Sequence, residues 1–198
     1  MEQIKIILAS KSPRRQSLIS GLEYPFELAI YEVDESFNPL DTPSEIAKKL
    51  AIKKAEHYPG NLQENEILLT ADTIVWINGK VLNKPENEQE SFDMLRSICG
   101  ATHEVYTGVC LKTQVQEHAF VEMSTVKCKN LSNEEIWHYI KNYKPFDKAG
   151  SYGIQDWFGY TAVEEIKGCF YNIMGLPVSR VYEEIKNIKK KWRSIVLC

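Results

Sequence analysis

The chain has 198 residues, of which 43% are hydrophobic, 26% charged and 11% aromatic, enough for one globular domain with a sizeable core and too apolar for disorder. Its 24 basic and 27 acidic side chains give a net charge of -3, and five of the positives (Lys186, Lys189, Lys190, Lys191, Arg193) follow Ile185 with no acid among them. Residues 1–185 therefore carry -8, a body too acidic for general binding of a nucleic-acid backbone.

In chain order, residues 4–9 read as a buried strand. The apolar run Ile6–Ala9 is too short for the apolar region of a signal peptide, and nothing later has the length of a membrane span, so a cytoplasmic location is expected. A helix follows from Pro13 to about Leu22, with Ser12 as its N-cap and Gly21 near its end. Residues 26–33 read as a second strand. Thr42-Pro43-Ser44-Glu45 is a capping box that launches a helix to about Tyr58. Residues 67–77 form the most strand-like run, and Asn78-Gly79 turns it back into Lys80–Leu82. A helix at about 86–99 stops at Gly100, and strands follow near 103–112 and 119–130. Ser132 and Glu135 form a second capping box, opening a helix to about Asn142. The glycine-bearing stretch 147–159 reads as a loop, 160–174 as two short strands, and Pro177 as the start of a terminal helix. This is an α/β chain with a mixed sheet, without repeats or a clear linker.

Five cysteines (Cys99, Cys110, Cys128, Cys169, Cys198) lie more than ten residues apart, which fits neither a redox pair nor a zinc knuckle. They are expected to be inert thiols. The four histidines, His57, His103, His118 and His138, form no metal-binding pattern, and P-loop, GxGxxG and GxSxG motifs are absent.

Chemistry is more legible elsewhere. The turn from Ser10 to Arg15 leads a strand into a helix N-terminus, which suits an anion, and Arg14 and Arg15 oppose the helix dipole unless an anion lies among them. A solvated arginine pair is the alternative. Asp72 interrupts an apolar strand, where a carboxylate is costly unless it is paired, hydrogen-bonded or bound to a metal. On the helix after Thr42, Ala47, Leu50, Ala51, Ala55 and Tyr58 make one apolar stripe. Lys54 falls inside that stripe while Lys49 and Lys53 lie at its flank, so Lys54 either snorkels out or reaches a polar cleft. Asp34 and Glu35 follow a strand, Lys84 precedes Pro85, and Gln155 closes the run Gly150–Gln155. Together these are carboxylates for a divalent cation and cations for phosphates.

The run Leu8–Arg15, the segment Ala71-Asp72-Thr73-Ile74-Val75 and the pair Lys84-Pro85 resemble successive motifs of the Maf family of nucleoside triphosphate pyrophosphatases. So do Gly100–His103 with Thr107-Gly108-Val109, the run Asp147–Gln155, and Gly175-Leu176-Pro177. The resemblance runs from about Ile4 to Ile188 and implies a single domain over residues 1–188, followed by a basic tail, 189–198. It implies the fold of inosine triphosphate pyrophosphatases: an elongated mixed sheet with flanking helices and two lobes around a central cleft. It further implies a divalent cation, Mg²⁺ or Mn²⁺, and a homodimer, while the charge balance and the lack of a long apolar run argue against a stable nucleic-acid partner and a membrane. On this resemblance Asp72 is the catalytic proton acceptor, Glu35 joins it on the metal side, and Ser10, Arg14, Arg15, Lys54 and Lys84 contact the phosphates. Arg14, Thr73 and Gln155 fall on three specificity positions, in the combination of the subgroup acting on dTTP and UTP. The implied reaction is hydrolysis to the nucleoside monophosphate and diphosphate, clearing surplus or modified nucleotides. A non-catalytic nucleotide-binding regulator of septum formation is the alternative that the family's older name suggests. Ser151, where the family usually has alanine, and the tail are the departures.

Overall fold

A computed structural model describes residues 3–196, with side chains to residue 192. Strand β1 (Lys5–Ala9) leads through the Ser10–Ser12 turn into α1 (Pro13–Ser20), whose N-cap Ser12 accepts a hydrogen bond from the Arg15 amide. Strand β2 (Phe26–Leu28) lies parallel to β1 on one side. Helix α2 (Pro43–Glu56) opens on a complete capping box and carries the chain across to β3 (Glu66–Ile77), parallel to β1 on its other side. The end of β1 is thus a topological switch point, where connections part to the two faces of the sheet and α/β proteins hold their ligands.

The two-residue turn at Asn78 and Gly79, both at positive φ, returns β3 into the antiparallel β4 (Lys80–Leu82). Helix α3 (Glu88–Ile98), strands β5 (Thr102–Lys112) and β6 (Glu117–Cys128), and helix α4 (Asn133–Tyr143) follow, then a short 3-10 turn at Ala149–Ser151. Helix α5 (Trp157–Ala162), strand β7 (Val163–Lys167), helix α6 (Phe170–Met174) and helix α7 (Val178–Val196) complete the fold. The seven-stranded mixed sheet has the order β2-β1-β3-β5-β6-β7, with β4 beside β3.

Period-two alternation divides the core. Ile6, Leu8, Ile67, Leu69 and Ala71 pack on one face against Leu18 and Ile19 of α1 and Val181, Ile185 and Ile188 of α7. Ile7, Ala9 and Leu68 pack on the other against Ala51 and Ala55 of α2. A second lobe is built on Val75, Val105 and Val126 with α3, α4 and α5, where Leu95, Tyr139, Ile140 and Phe158 are buried. Strand β3 runs through both lobes.

Two sequence readings change. The strand expected over 26–33 stops at Leu28, because β1, its one neighbour, runs out at Ala9. Residues 160–174 hold one strand between two helices, not two strands. Their aromatic and β-branched residues suggest sheet, but Phe158 and Ala162 are both buried, four residues apart on one helical face. The basic tail continues α7 without a break as far as Val196, and Cys198 lies outside the described residues. Cys99, Cys110, Cys128 and Cys169 are free, and burial pushes the thiols of Cys110 and Cys128 up to about 12, as inert thiols require. No helix among the described residues is long and apolar enough to cross a membrane.

Candidate active site

Strand β1 pairs with β3 only as far as Thr70, and β4 takes up the same edge at Val75. The intervening residues, 71–74, face an opening rather than a strand, and there the two lobes part around a cleft of about 560 Å³. Ser10, Arg14, Arg15, Glu35, Lys54, Asp72, Thr73, Lys84 and Gln155 all line it, so nearly all the candidate site residues meet in one place. Asp34 does not: its carboxylate turns away to bond Ser36 and Lys53, and those bonds hold it far below the usual carboxylate range.

Adjacent residues of β3 point to opposite faces and each meets a different cationic helix. Asp72, 9% exposed, points to the α2 face, as do Thr70, bonded to the Ala51 carbonyl, and Ile74, packed on Ala47 and Leu50. There Lys54 Nζ donates to Asp72 Oδ1 at 2.5 Å and sits 2.8 Å from Glu35 Oε1. Of the two readings of Lys54, the polar cleft holds, while Lys53 pairs with Asp34 and Lys49 with Asp41. Burial pushes Glu35 up, but the Lys54 bond and the fields of Lys54, Lys84 and Arg15 outweigh it and leave its carboxyl below the ordinary value. Gly108, the cross-strand partner of Asp72, lets α2 come this close, since a Cβ there would stand 2.1 Å from the Ala47 carbonyl oxygen.

Thr73 points to the other face. Its hydroxyl accepts from Arg15 Nη2 at 2.9 Å and pairs with the Thr107 hydroxyl at 2.8 Å, which donates to the Asn172 carbonyl. Arg15 Nε donates to the carbonyl of Gly175, whose positive φ ends α6. Burial pulls the Arg15 guanidinium below its ordinary value, and the Asp72 charge acts against that. Arg14 crosses the cleft to Asp147 at 2.7 Å, joining the two lobes. Lys84 is exposed and makes no hydrogen bond or ion pair among the described residues.

Glu32, Asp147 and Lys148, none of them singled out in the sequence, also line the cleft, although the last two lie in the Asp147–Gln155 run. Lys148 Nζ is 2.8 Å from Asp147 Oδ1 and 3.7 Å from Asp156 Oδ2. Gln155 Nε2 donates to Asp156 Oδ1 at 3.1 Å, while its Oε1 is buried without a partner. Ser151, outside the cleft, shares a buried hydrogen bond with Ser91, which accounts for a hydroxyl at that position. His103 is buried against the Tyr152 hydroxyl, and burial pulls its imidazole down to about 4, so it is neutral and structural.

Six cations against four carboxylates line this opening in a chain of net charge -3. A mixed α/β sheet that opens at its switch point into such a cleft has the form of a protein that receives a multiply charged anion beside a buried carboxylate. The chain belongs to the Maf family: residues 5–188 match the family described as Maf-like protein. The dTTP/UTP pyrophosphatase of Flavobacterium johnsoniae is 46% identical over 95% of this chain and 97% of its own length. That of Bacteroides thetaiotaomicron is 46% identical over 95% and 98%. Among solved structures, the Staphylococcus aureus Ham1 protein aligns over 64% of this chain and 72% of its own, at 12% identity and a TM-score of 0.46.

Proposed function

We propose that the protein hydrolyses dTTP and UTP to the monophosphate and diphosphate, the activity named for the relatives that match nearly the whole chain. One observation carries the reading: a buried carboxylate, Asp72, and a second, Glu35, converge on a single cation at the floor of a cation-lined cleft. In this reading Asp72 accepts the proton of the water that attacks the α-phosphorus. Arg14, Arg15, Lys54 and Lys84 neutralise charge on the phosphates and on the departing diphosphate. Ser10, whose hydroxyl already accepts from the Ser12 amide, can donate its own proton to a phosphate oxygen.

Two carboxylate groups aimed at one point are a donor set that suits Mg²⁺ or Mn²⁺, and the Lys54 ammonium marks that point. Among the described residues no cluster of three or more His, Cys, Asp or Glu could hold a metal, so phosphate oxygens and water would complete the shell. When bound, such an ion lowers the pKa of water and offsets phosphate charge. Lys54 would then exchange its carboxylate partners for phosphate oxygen.

Arg14, Thr73 and Gln155 set specificity in this reading. Thr73 acts through Arg15, and Gln155 offers its unpartnered Oε1 to the base. We also assign a homodimer in the cytoplasm, with residues 1–188 as the working domain. Diphosphate release from a panel of triphosphates, with Mg²⁺ or Mn²⁺, tests the proposal. Release from dTTP and UTP is the expected result, and binding without release from any nucleotide would leave a sensor in place of an enzyme.

A further inference from the structure

Asp156 stands at the N-cap of α5, the position where an aspartate ordinarily accepts hydrogen bonds from the first free amides of the helix. Here its side chain makes no capping bond. The carboxylate turns the other way. Oδ1 accepts from Gln155 Nε2 at 3.1 Å, and Oδ2 accepts from the buried Tyr139 hydroxyl at 3.2 Å with the Lys148 ammonium 3.7 Å away. The Tyr139 oxygen in turn accepts from the Gly153 amide, which ties the loop to α4. Room for this arrangement depends on Gly153, where a Cβ would lie 2.4 Å from Asp156 Oδ2 and 2.9 Å from Gln155 Nε2. A cap has been forgone, and a carboxylate is held from two further sides to face one amide.

An ionised carboxylate only accepts, so the group of Gln155 turned towards it must be the NH₂. Flipped, the amide would set oxygen against oxygen at hydrogen-bond distance. Gln155 Oε1 is therefore left facing away from Asp156, and it is buried, partnerless and on a residue that lines the cleft. A buried acceptor without a donor is costly and points to a ligand that brings one.

We infer that Asp156 is a specificity-positioning residue: it locks the Gln155 amide with its oxygen towards the base, so that the site selects a base carrying a ring N–H. Uracil and thymine donate from N3, whereas cytosine has a lone pair there and meets Oε1 with repulsion. The inference rests on the proposed pyrimidine triphosphatase activity and adds to it the device that sets its selectivity. Lys148 and Tyr139 hold that device in place.

The test is hydrolysis of UTP and CTP mixed in one reaction, which gives the ratio of their kcat/KM values whatever fraction of a variant is folded. Three proteins are compared: wild type, Asp156→Asn and Asp156→Glu. Asparagine keeps the shape but can donate or accept, so it lets the Gln155 amide flip. The UTP:CTP ratio should fall by about fivefold or more, chiefly through faster use of CTP. Glutamate changes the length but remains acceptor-only, and should retain more of the ratio than asparagine does. An unchanged ratio in Asp156→Asn, or an equal loss in both variants, overturns the inference while leaving the activity intact. A wild type that prefers CTP, or uses both alike, overturns the inference together with the pyrimidine assignment. A wild type that hydrolyses neither nucleotide overturns the activity itself.

Discussion

Lys54→Met removes the ammonium from between Asp72 and Glu35 and keeps most of the aliphatic stem. In the folded protein the Lys54 and Asp72 side chains are 14% and 13% exposed, so their attraction is little screened. Glu35 is half exposed, and its share is correspondingly small. Breaking a fully buried pair costs about 3–5 kcal/mol. This pair lines a cleft and leaves Asp72 within the field of Arg15, so a loss of about 2–3 kcal/mol is expected. For a chain of this size that lowers the melting temperature by roughly 5–10 °C at neutral pH.

The deficit should depend on pH. Glu35 has its carboxyl held below the unfolded value of 4.5, so it contributes stability above that value and loses it as pH falls through the lower folded value. Once Glu35 is protonated its attraction to Lys54 is gone, so the deficit of the variant should narrow in acid. Thermal melts of both proteins across that range are the assay. Lys53→Met is the control, because Lys53 meets the largely exposed Asp34, where solvent screens the pair, and should leave the melting temperature nearly unchanged. A Lys54→Met protein that melts with wild type at neutral pH, or whose deficit persists unchanged in acid, would refute the reasoning.

Asp72→Asn keeps the shape but removes the proton acceptor, and single-turnover measurements should show hydrolysis slowed on the order of a hundredfold or more while nucleotide binding survives. A preference for UTP over CTP of about tenfold or more in kcat/KM is expected of the wild type, and Gln155→Leu, which removes the Oε1 acceptor, should erode it more than it weakens binding of inorganic triphosphate. Gly108→Ala drives a methyl group into the Ala47 carbonyl, so α2 must lift from the sheet. Denaturant titration should record a loss of about 3 kcal/mol or more, and Lys54 should be displaced from Asp72.

Several features of the site can be read from local sequence because they are set by the period and chemistry of a single element. Asp72 stands out as one carboxylate in an apolar strand, and Lys54 as one cation inside an apolar helical stripe, each without knowledge of the other. Ser12 and Pro13 mark the start of α1, and two capping boxes mark α2 and α4. The Maf motifs collect these residues into one site, as the cleft does. Local pattern failed in residues 160–174, where β-favouring side chains form helices because Phe158 and Ala162 have a core to enter. It was also silent on which charge meets which. Lys54 finds Asp72 only because Gly108, on the next strand, admits α2 to the sheet, and Arg14 finds Asp147 only across the two lobes. Asp156 lies in a stretch that reads as a loop, and what its carboxylate faces is decided only once Tyr139, Lys148 and Gln155 are placed around it. Helical angle and strand alternation orient a side chain relative to its own element, but sheet register and helix approach, fixed by contacts far apart in the chain, decide what it faces.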